Sequence, residues 1–536
     1  MVADEPIEDD LEEAVGLVEP PPLPAKPSPP DSLDLHFTLA PDGAAHFAAT
    51  VDRLSKTKSS LSEFRIVSLD RRDDAIARLG LSYGLRSVGA PGRQSAWRKF
   101  VAPLSKATPK KAGRVLKQML QESGRILAVA RVETQRRRWA WRLKDSRIEV
   151  VLDQSTVQVN GKQIALASAS FSSREPSDEV FSLLADICKE ETLRLGAESD
   201  LLRVFRLRGS SVPQHVSSLT PELSASMDAA DGFRAIARAS FDQFLLNESV
   251  IRATGDREAV HQCRVAMRRL SACFRVFSAF LTGADFDAIK LDFKELRALL
   301  RKARDLHVLL ADVVTPAITV EPPAGGKMLI RELETQRDAA QGELAAFLES
   351  PRAAALFLRF RLWAETGDWS KDPDAECGRK RSQRLVKFGK RKLSKMNEDF
   401  LAAAARLGEM SDEERHHTRI AGKNLRYVAE FFHTLAEGDA GKERYRVFLR
   451  SLKELQGVLG DWNDILMARR FFDHFTEEAR EDDEAQPASR NKRAALSAAK
   501  TLAARIAALP PTEFRDKSAK AYQALLETKP FWHKLS

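Results

Sequence analysis

The sequence predicts an α+β protein of several domains: an N-terminal antiparallel β domain, a barrel or a sandwich, followed by an all-α region in which a helical bundle is built twice. Three observations carry this. Residues 32–210 break into short runs that often alternate apolar with polar residues, the period of a half-buried strand. From about residue 221 apolar residues recur instead at three- and four-residue spacing over long segments. Within that helical region a single motif occurs twice, 155 residues apart.

A chain of 536 residues exceeds the roughly 100–200 residues of a single domain, so two or three units are expected. Its 43% of hydrophobic residues suffices for real cores and excludes wholesale disorder. The net charge of +9 admits anionic partners without specifying one. Cys188, Cys263, Cys273 and Cys377 form no CxxC pair, which fits reduced thiols in a cytoplasmic protein better than a disulfide framework or a zinc site. No apolar run of about 18 residues is present, so neither a membrane span nor a membrane partner is expected. The acidic N-terminus lacks the basic and apolar regions of a secretion signal.

Taken in order, residues 1–31 hold nine acids against one lysine and end in PPPLPAKPSPP. Such a segment cannot bury a core and is expected to be a disordered acidic tail, either a solvated one or one that competes with an anionic ligand. Strands are expected in LDLHFTLA, FRIVSLD, YGLRSVG, AWRKFVA, GRILAVARVETQ, RRWAWRLK, RIEVVLD and STVQVNGKQIALASASF, with Asn160-Gly161 as a hairpin turn. Helices are expected at about 42–57 and 176–196. Many short antiparallel strands with few helices suggest a barrel or sandwich.

Strand by strand, residues 32–210 resemble the CYTH domain, the triphosphate tunnel fold. LDLHFTLAPDGAAHFAATV stands at its opening strand and helix, LGLSYGLRSVG at its LRxR strand, the stretch from RRRWAWRLK to ASASF at its paired late strands, and PSDEVFSLLADI at the following helix. The family's ExExK positions read Ser32, Asp34 and His36, and its glutamate-rich later strand reads Ala167, Ser168, Ala169 and Ser170. Those carboxylates would hold a divalent metal, and Asp34 alone cannot build an oxygen-rich site. Arg86, Lys99, Arg136, Arg138 and Arg142 keep the basic side. The resemblance thus implies either a tunnel that retains its anion-binding side without its metal side or a purely structural barrel. No metal or other cofactor is expected, and metal-dependent hydrolysis of triphosphate or polyphosphate is the alternative function.

Residues 211–220 read as a linker, with Thr220-Pro221 as a capped helix start. Helical segments follow, with breaks around 319–327, 365–378 and 408–414 and a loop or exposed end near 477–492. The repeated motif is H-x-x-R-x-A-x-[RK]-x-L. It begins HQCRVAMRRLSACFRVF at His261 and HHTRIAGKNLRYVAEFF at His416. LRALLRKARDLHVLL and LKELQGVLGDWNDIL trail the two copies, bringing Asp305 and Asp461 into register to within one residue. The repeat halves span about 221–370 and 376–536, and two facing helical bundles are expected.

At about 100° per residue, His261, Arg264, Arg268 and Arg275 share one helix face. Cys263, Met267, Leu270, Phe274 and Phe277 take the other. His416, Arg419 and Lys423 repeat the pattern. Lys294, Arg297, Arg301 and Arg304 form a further stripe whose counterpart is Arg450 and Lys453. Lys380, Arg384, Lys387, Arg391 and Lys395 form another. Like charges three and four apart repel, and almost no acids relieve them. A single such row is ordinarily a solvated face; several rows, duplicated across a repeat, point to a ligand with closely spaced negative charges. Arginine forks suit phosphate oxygens. The stripes hold almost no aromatics on which bases could stack, which argues for bare phosphates over nucleic acid.

VHQCRVAMRRL, RHHTRIAGKNLRYVAEFF and the two trailing Asp segments resemble the CHAD domain, the conserved-histidine α-helical domain, over about 221–536. The resemblance implies two four-helix bundles with pseudo-twofold symmetry around a basic cavity. It also implies binding of inorganic polyphosphate and, in bacteria, association with polyphosphate granules. A CYTH domain often precedes a CHAD domain. His307 and Asn424 depart from the family pattern. The candidate polyphosphate-binding residues are His261, Arg264, Arg268, Arg275, Arg297, Arg301, Arg384, Lys387, Arg391, Lys395, His416, Arg419, Lys423, Arg450 and Lys453. Asp305 and Asp461 either orient the histidines and their helices or cap and salt-bridge their own bundles. No nucleophilic triad, Walker loop or HExxH occurs, so no catalytic residue is expected.

Overall fold

The structure is a computed structural model. It describes residues 33–535 apart from 72, 80, 90–97, 104–111, 122–125, 144–145, 175–176, 191–192, 197–199, 210–214, 372–373, 486–489 and 508–511. The acidic tail, Ser32 and the opening residues of the expected linker lie outside the described residues. Two units emerge. One holds residues 33–219 with Leu245–Ala259 and Ser350–Leu358; the other holds Thr220–Phe244, Val260–Glu349 and 359–535.

The first unit is an antiparallel sheet. Its strands are β1 (Leu33–Leu39), β2 (Ser60–Arg71), β3 (Leu81–Gly89), β4 (Arg98–Pro103), β5 (Ile126–Leu143), β6 (Ser146–Val159), β7 (Lys162–Ser173) and β8 (Arg194–Gly196), in the order β4-β3-β2-β5-β6-β7-β1-β8. Among the described residues no pairing joins β4 to β8, so the expected closure into a barrel is not found. The two strands that would have to meet are short: β8 pairs only with His36–Thr38, and β4 spans six residues. The runs expected as separate strands around 124–144 form the single strand β5. Residues Arg136–Arg138 there are laddered on one side to β2 and on the other to β6, which leaves no room for a turn. Asn160 and Gly161 both take positive φ, 52° and 71°, as the two-residue hairpin turn requires.

Helix α1 (Ala44–Ser55) packs Phe47 edge-on against Phe171 of β7, which also meets Phe37 of β1 at 5.4 Å. Trp139 is fully buried and donates its indole N–H to Asp52 Oδ1 at 2.6 Å, tying β5 to α1. Three helices were not legible in the sequence: α2 (Ala75–Arg78), α3 (Ala112–Gln121) and α5 (Asp200–Leu207); α4 (Asp178–Glu190) lies within the helix expected over 176–196, whose last residues form strand β8 instead. Asp70 explains α2. Its buried carboxylate accepts from the backbone N–H groups of Arg71, Ile76 and Ala77 at 2.7–2.8 Å, and burial raises its pKa against those bonds.

Thereafter the chain is helical: α6 (Ala229–Thr254), α7 (Arg257–Phe277), α8 (Ala284–Val308), α9 (Thr315–Val320), α10 (Gly326–Glu349), α11 (Pro351–Thr366), α12 (Asp368–Lys371), α13 (Ala375–Arg381), α14 (Leu385–Ala404), α15 (Asp412–Phe432), α16 (Gly438–Ala485), α17 (Arg490–Ala507) and α18 (Thr512–Leu526). An antiparallel sheet region followed by a helical region is what the α+β reading has. Two details differ. The first helix begins at Ala229 rather than after Pro221, because residues 227–229 pair their backbone with 383–385 and Asp228 Oδ1 caps the Asp231 N–H at 2.9 Å. The stretch expected as a loop or exposed end from 477 is helical to Ala485, since Glu and Ala are strong helix formers.

The helices that carry the two motif copies are fixed by their own apolar faces. On α7, Cys263, Met267, Leu270, Phe274 and Phe277 are buried as the spacing predicts. Arg269, 1% exposed, extends from α7 to Glu430 of α15 at 3.3 Å and lies over the Phe431 ring at 5.2 Å. A charge this deeply buried is tolerated because it is paired, and it ties α7 to α15. α15 starts with a capping box, Ser411 with Glu414. It also approaches α14 closely at two glycines, Gly389 under Phe432 and Gly422 under Phe400.

Candidate functional site

In the helical unit a cavity of about 410 Å³ opens between residues of both motif copies. From α7 it takes Arg264, Arg268, Ser271 and Arg275, and from α8 Arg301 and Asp305. From α15 come Asp412, His416, Arg419, Ile420, Lys423, Asn424 and Tyr427, and from α16 Asn463, Leu466, Met467 and Arg470. Seven permanent cations therefore face two carboxylates. The lining thus carries an excess of positive charge, and like charges on one helix repel.

Several lining groups have an identifiable hold. Arg264 pairs with Asp305 across α7 and α8. Arg268 hydrogen-bonds Tyr427; burial, reinforced by Arg264, lowers its pKa. Arg297 stands one step outside the lining, donating from Nη1 to Ser271 Oγ at 2.6 Å; burial and then Arg301 lower its pKa. His416 Nδ1 lies 3.0 Å from Asn463 Oδ1. Burial, with Arg419, His417 and Arg470 adding, holds its imidazole below the ordinary value, which favours the neutral ring. Asp412 is held from outside the cavity, by Arg415 Nη1 at 3.0 Å and Trp462 Nε1 at 3.2 Å.

Of the residues singled out from the sequence, Arg264, Arg268, Arg275, Arg301, His416, Arg419, Lys423 and Asp305 line this one cavity. His261 and Arg297 are half-buried and do not line it. The expected single stripe is broken by the bend at residues 382–384: Lys380 sits on α13, Arg384 is the N-cap of α14, and only Lys387, Arg391 and Lys395 share an exposed face of α14, outside the cavity lining; Arg391 bonds Gln383 and Lys395 bonds Asp399. Arg450, Lys453 and Asp461 are exposed on α16. The partner of His416 is Asn463, an amide two residues beyond Asp461, which a search for acids in register passes over. Tyr427 and Arg470 were also not anticipated. Helical spacing could have found Tyr427, which lies four residues after Lys423 and eight after Arg419.

In the sheet unit, Arg136 makes a two-pronged pair with Asp153 at 2.6 and 2.7 Å. It shares the Phe64 ring with Arg86, the two guanidinium carbons lying 4.9 and 4.6 Å from the ring centre. Burial, and then Arg136, lowers the Arg86 pKa. Arg138 pairs with Glu149, and Asp34 is exposed on β1. A separate pocket of about 480 Å³ is lined by mixed acids, amides and hydroxyls, among them Glu63, Glu133, Gln135 and Ser155, with Arg65 as its one cation. Among the described residues no group of three or more His, Cys, Asp or Glu could hold a metal ion, and no helix is long and apolar enough to cross a membrane.

Residues 235–473 match the family model described as the CHAD domain. No curated protein matches the chain. Among solved structures it is similar to the crystal structure of the CHAD domain from the plant Ricinus communis, at 25% identity over 59% of this chain and 97% of that one, with a TM-score of 0.48. It is similar to PptA from Streptomyces chartreusis at 16% identity over 57% of this chain and 100% of that one, TM-score 0.36. A putative adenylyl cyclase from Hippeastrum, described as having a dominant triphosphatase activity, aligns at 12% identity over 34% of this chain and 98% of that one, TM-score 0.22.

Proposed function

Because residues 235–473 of this chain are a CHAD domain, we propose that its helical unit binds inorganic polyphosphate in the cavity lined by α7, α8, α15 and α16, and that the protein thereby associates with polyphosphate granules in the cytoplasm. One observation supports this above the rest: cations from both copies of the repeat, Arg264, Arg268 and Arg275 with Arg419 and Lys423, line a single cavity instead of separate surfaces. In this reading the halves 221–370 and 376–536 are two four-helix bundles facing each other across it. The lining arginines make forked contacts to phosphate oxygens, Lys423 adds a point charge, and His416 donates once protonated. The exposed cations Arg384, Lys387, Arg391 and Lys395 take up chain that extends beyond the cavity, as do Arg450 and Lys453. Ligand binding here needs no metal, because the protein supplies the countercharge.

The test is a change of Arg264, Arg268, Arg419 and Lys423 together to Ala. Losing four phosphate partners should weaken binding of long-chain polyphosphate at least a hundredfold, on the order of what counterion release predicts at moderate salt. Affinity within a factor of two of the parent, in a protein with unchanged circular dichroism, would remove the cavity from the account.

A further inference from the structure

The cavity proposed to take polyphosphate already contains an anion belonging to the chain. Asp305 lines it and pairs with Arg264, which also lines it; the carboxylate keeps 30% of its exposure, so it borders open space rather than core. Its charge reaches Arg268 as well. Asp412, the other lining carboxylate, differs in kind. Arg415 and Trp462, which hold it, are both outside the lining. The charge of Asp412 is thus balanced from behind the wall, whereas that of Asp305 is balanced by a cation the ligand itself needs.

We propose that Asp305 is a resident competitor for the ligand: it holds Arg264 until a polyanion takes that arginine over, and so sets how strong an anion must be to fill the site. The proposal rests on the polyanion reading above. Arg264 and Arg268 are four residues apart on α7 and repel each other, and Asp305 relieves this when no ligand does so. A tethered carboxylate has lost little freedom in reaching Arg264, so it competes at a high effective concentration. Weak monoanions at ordinary concentrations are held off. A ligand that engages several cations at once repays the exchange and leaves Asp305 beside phosphate oxygens of like charge.

The test compares Asp305→Asn with Asp412→Asn, titrating tripolyphosphate and long-chain polyphosphate into the full chain at fixed pH and salt. Each change removes one negative charge from the lining. Asp305→Asn should tighten both ligands about tenfold, as removal of a like charge at contact distance predicts, and Asp412→Asn less than about threefold. Without ligand, Asp305→Asn should melt below the parent, and saturating tripolyphosphate should erase the difference. Equal gains in the two variants would mean that only net charge matters, and an unchanged or weaker Asp305→Asn would mean that the carboxylate positions Arg264; either overturns the proposal. Asp305→Ser serves if the Asn variant does not fold. A folded parent that binds neither ligand would instead defeat the underlying polyphosphate reading.

Discussion

His416 is where the chemistry of the cavity is most sensitive to pH, and two quantities should move in opposite directions there. The folded protein holds the imidazole below its ordinary pKa, chiefly through burial. Neutral His416 is therefore favoured by folding: its contribution to stability is present above the ordinary histidine value and is lost as pH falls through the lowered one. Bound phosphate would favour the imidazolium, so binding should tighten over the same interval. We expect the affinity for polyphosphate to rise severalfold from pH 7.5 to 6.0 while the ligand-free melting temperature falls, and both trends to shrink in His416→Gln. Calorimetric titration and thermal melts at matched ionic strength check this; an affinity independent of pH, or equally dependent in the variant, would show that His416 does not meet the ligand. At this scale the sequence was informative about which cations of α7 and α15 share a helix face, because their spacing is fixed by the helix. It was silent about the partners. Nothing in the order of residues says that an amide, Asn463, rather than Asp461 meets the ring 47 positions away.

Among elements, the α14–α15 contact decides where the second cationic row points. Gly389 of α14 leaves room for the Phe432 ring, and Gly422 of α15 for the Phe400 ring; a Cβ at either would lie 2.7–2.8 Å from ring carbons. Neither glycine is needed for its backbone angles; both are needed for closeness. Gly422→Ala should therefore cost about 1–2 kcal/mol in chemical denaturation, the clash of an overpacked interface outweighing the better helix propensity of alanine. Since Lys423 and Arg419 ride on the same helix, polyphosphate affinity should fall as well. A stabilised Gly422→Ala with full affinity would show that the two helices part without consequence. The rows also show how far periodicity carries. It separated polar from apolar faces on both α7 and α14, yet of these two rows only the arginines of α7 line the cavity. Spacing gives the face of a helix, and tertiary packing decides what that face meets. The same limit applied in the sheet unit, where two runs read as strands proved to be one strand and α2 depends on a carboxylate, Asp70, contributed by the preceding strand.

For the whole molecule, an internal repeat was the most useful feature of the sequence, since it placed two helices of like composition in one unit. What it did not give was closure. Alternating strands specify an antiparallel sheet, but whether its edge strands meet depends on twist and strand length, and here β4 and β8 stay unpaired with each other among the described residues. The claim on which the rest depends is that cations from the two repeat copies act together on one polyanion. Titration of the full chain with polyphosphates of increasing length, at two salt concentrations, tests it most directly. Seven lining cations offset by two carboxylates should give an affinity that grows with chain length until the cavity is spanned. For the long chains, log K should fall with log salt at a slope of about −3 to −4, as for roughly five neutralised phosphates. An affinity that is the same for short and long chains, with a slope near −1, would mean that single cations act alone, and would contradict the shared cavity.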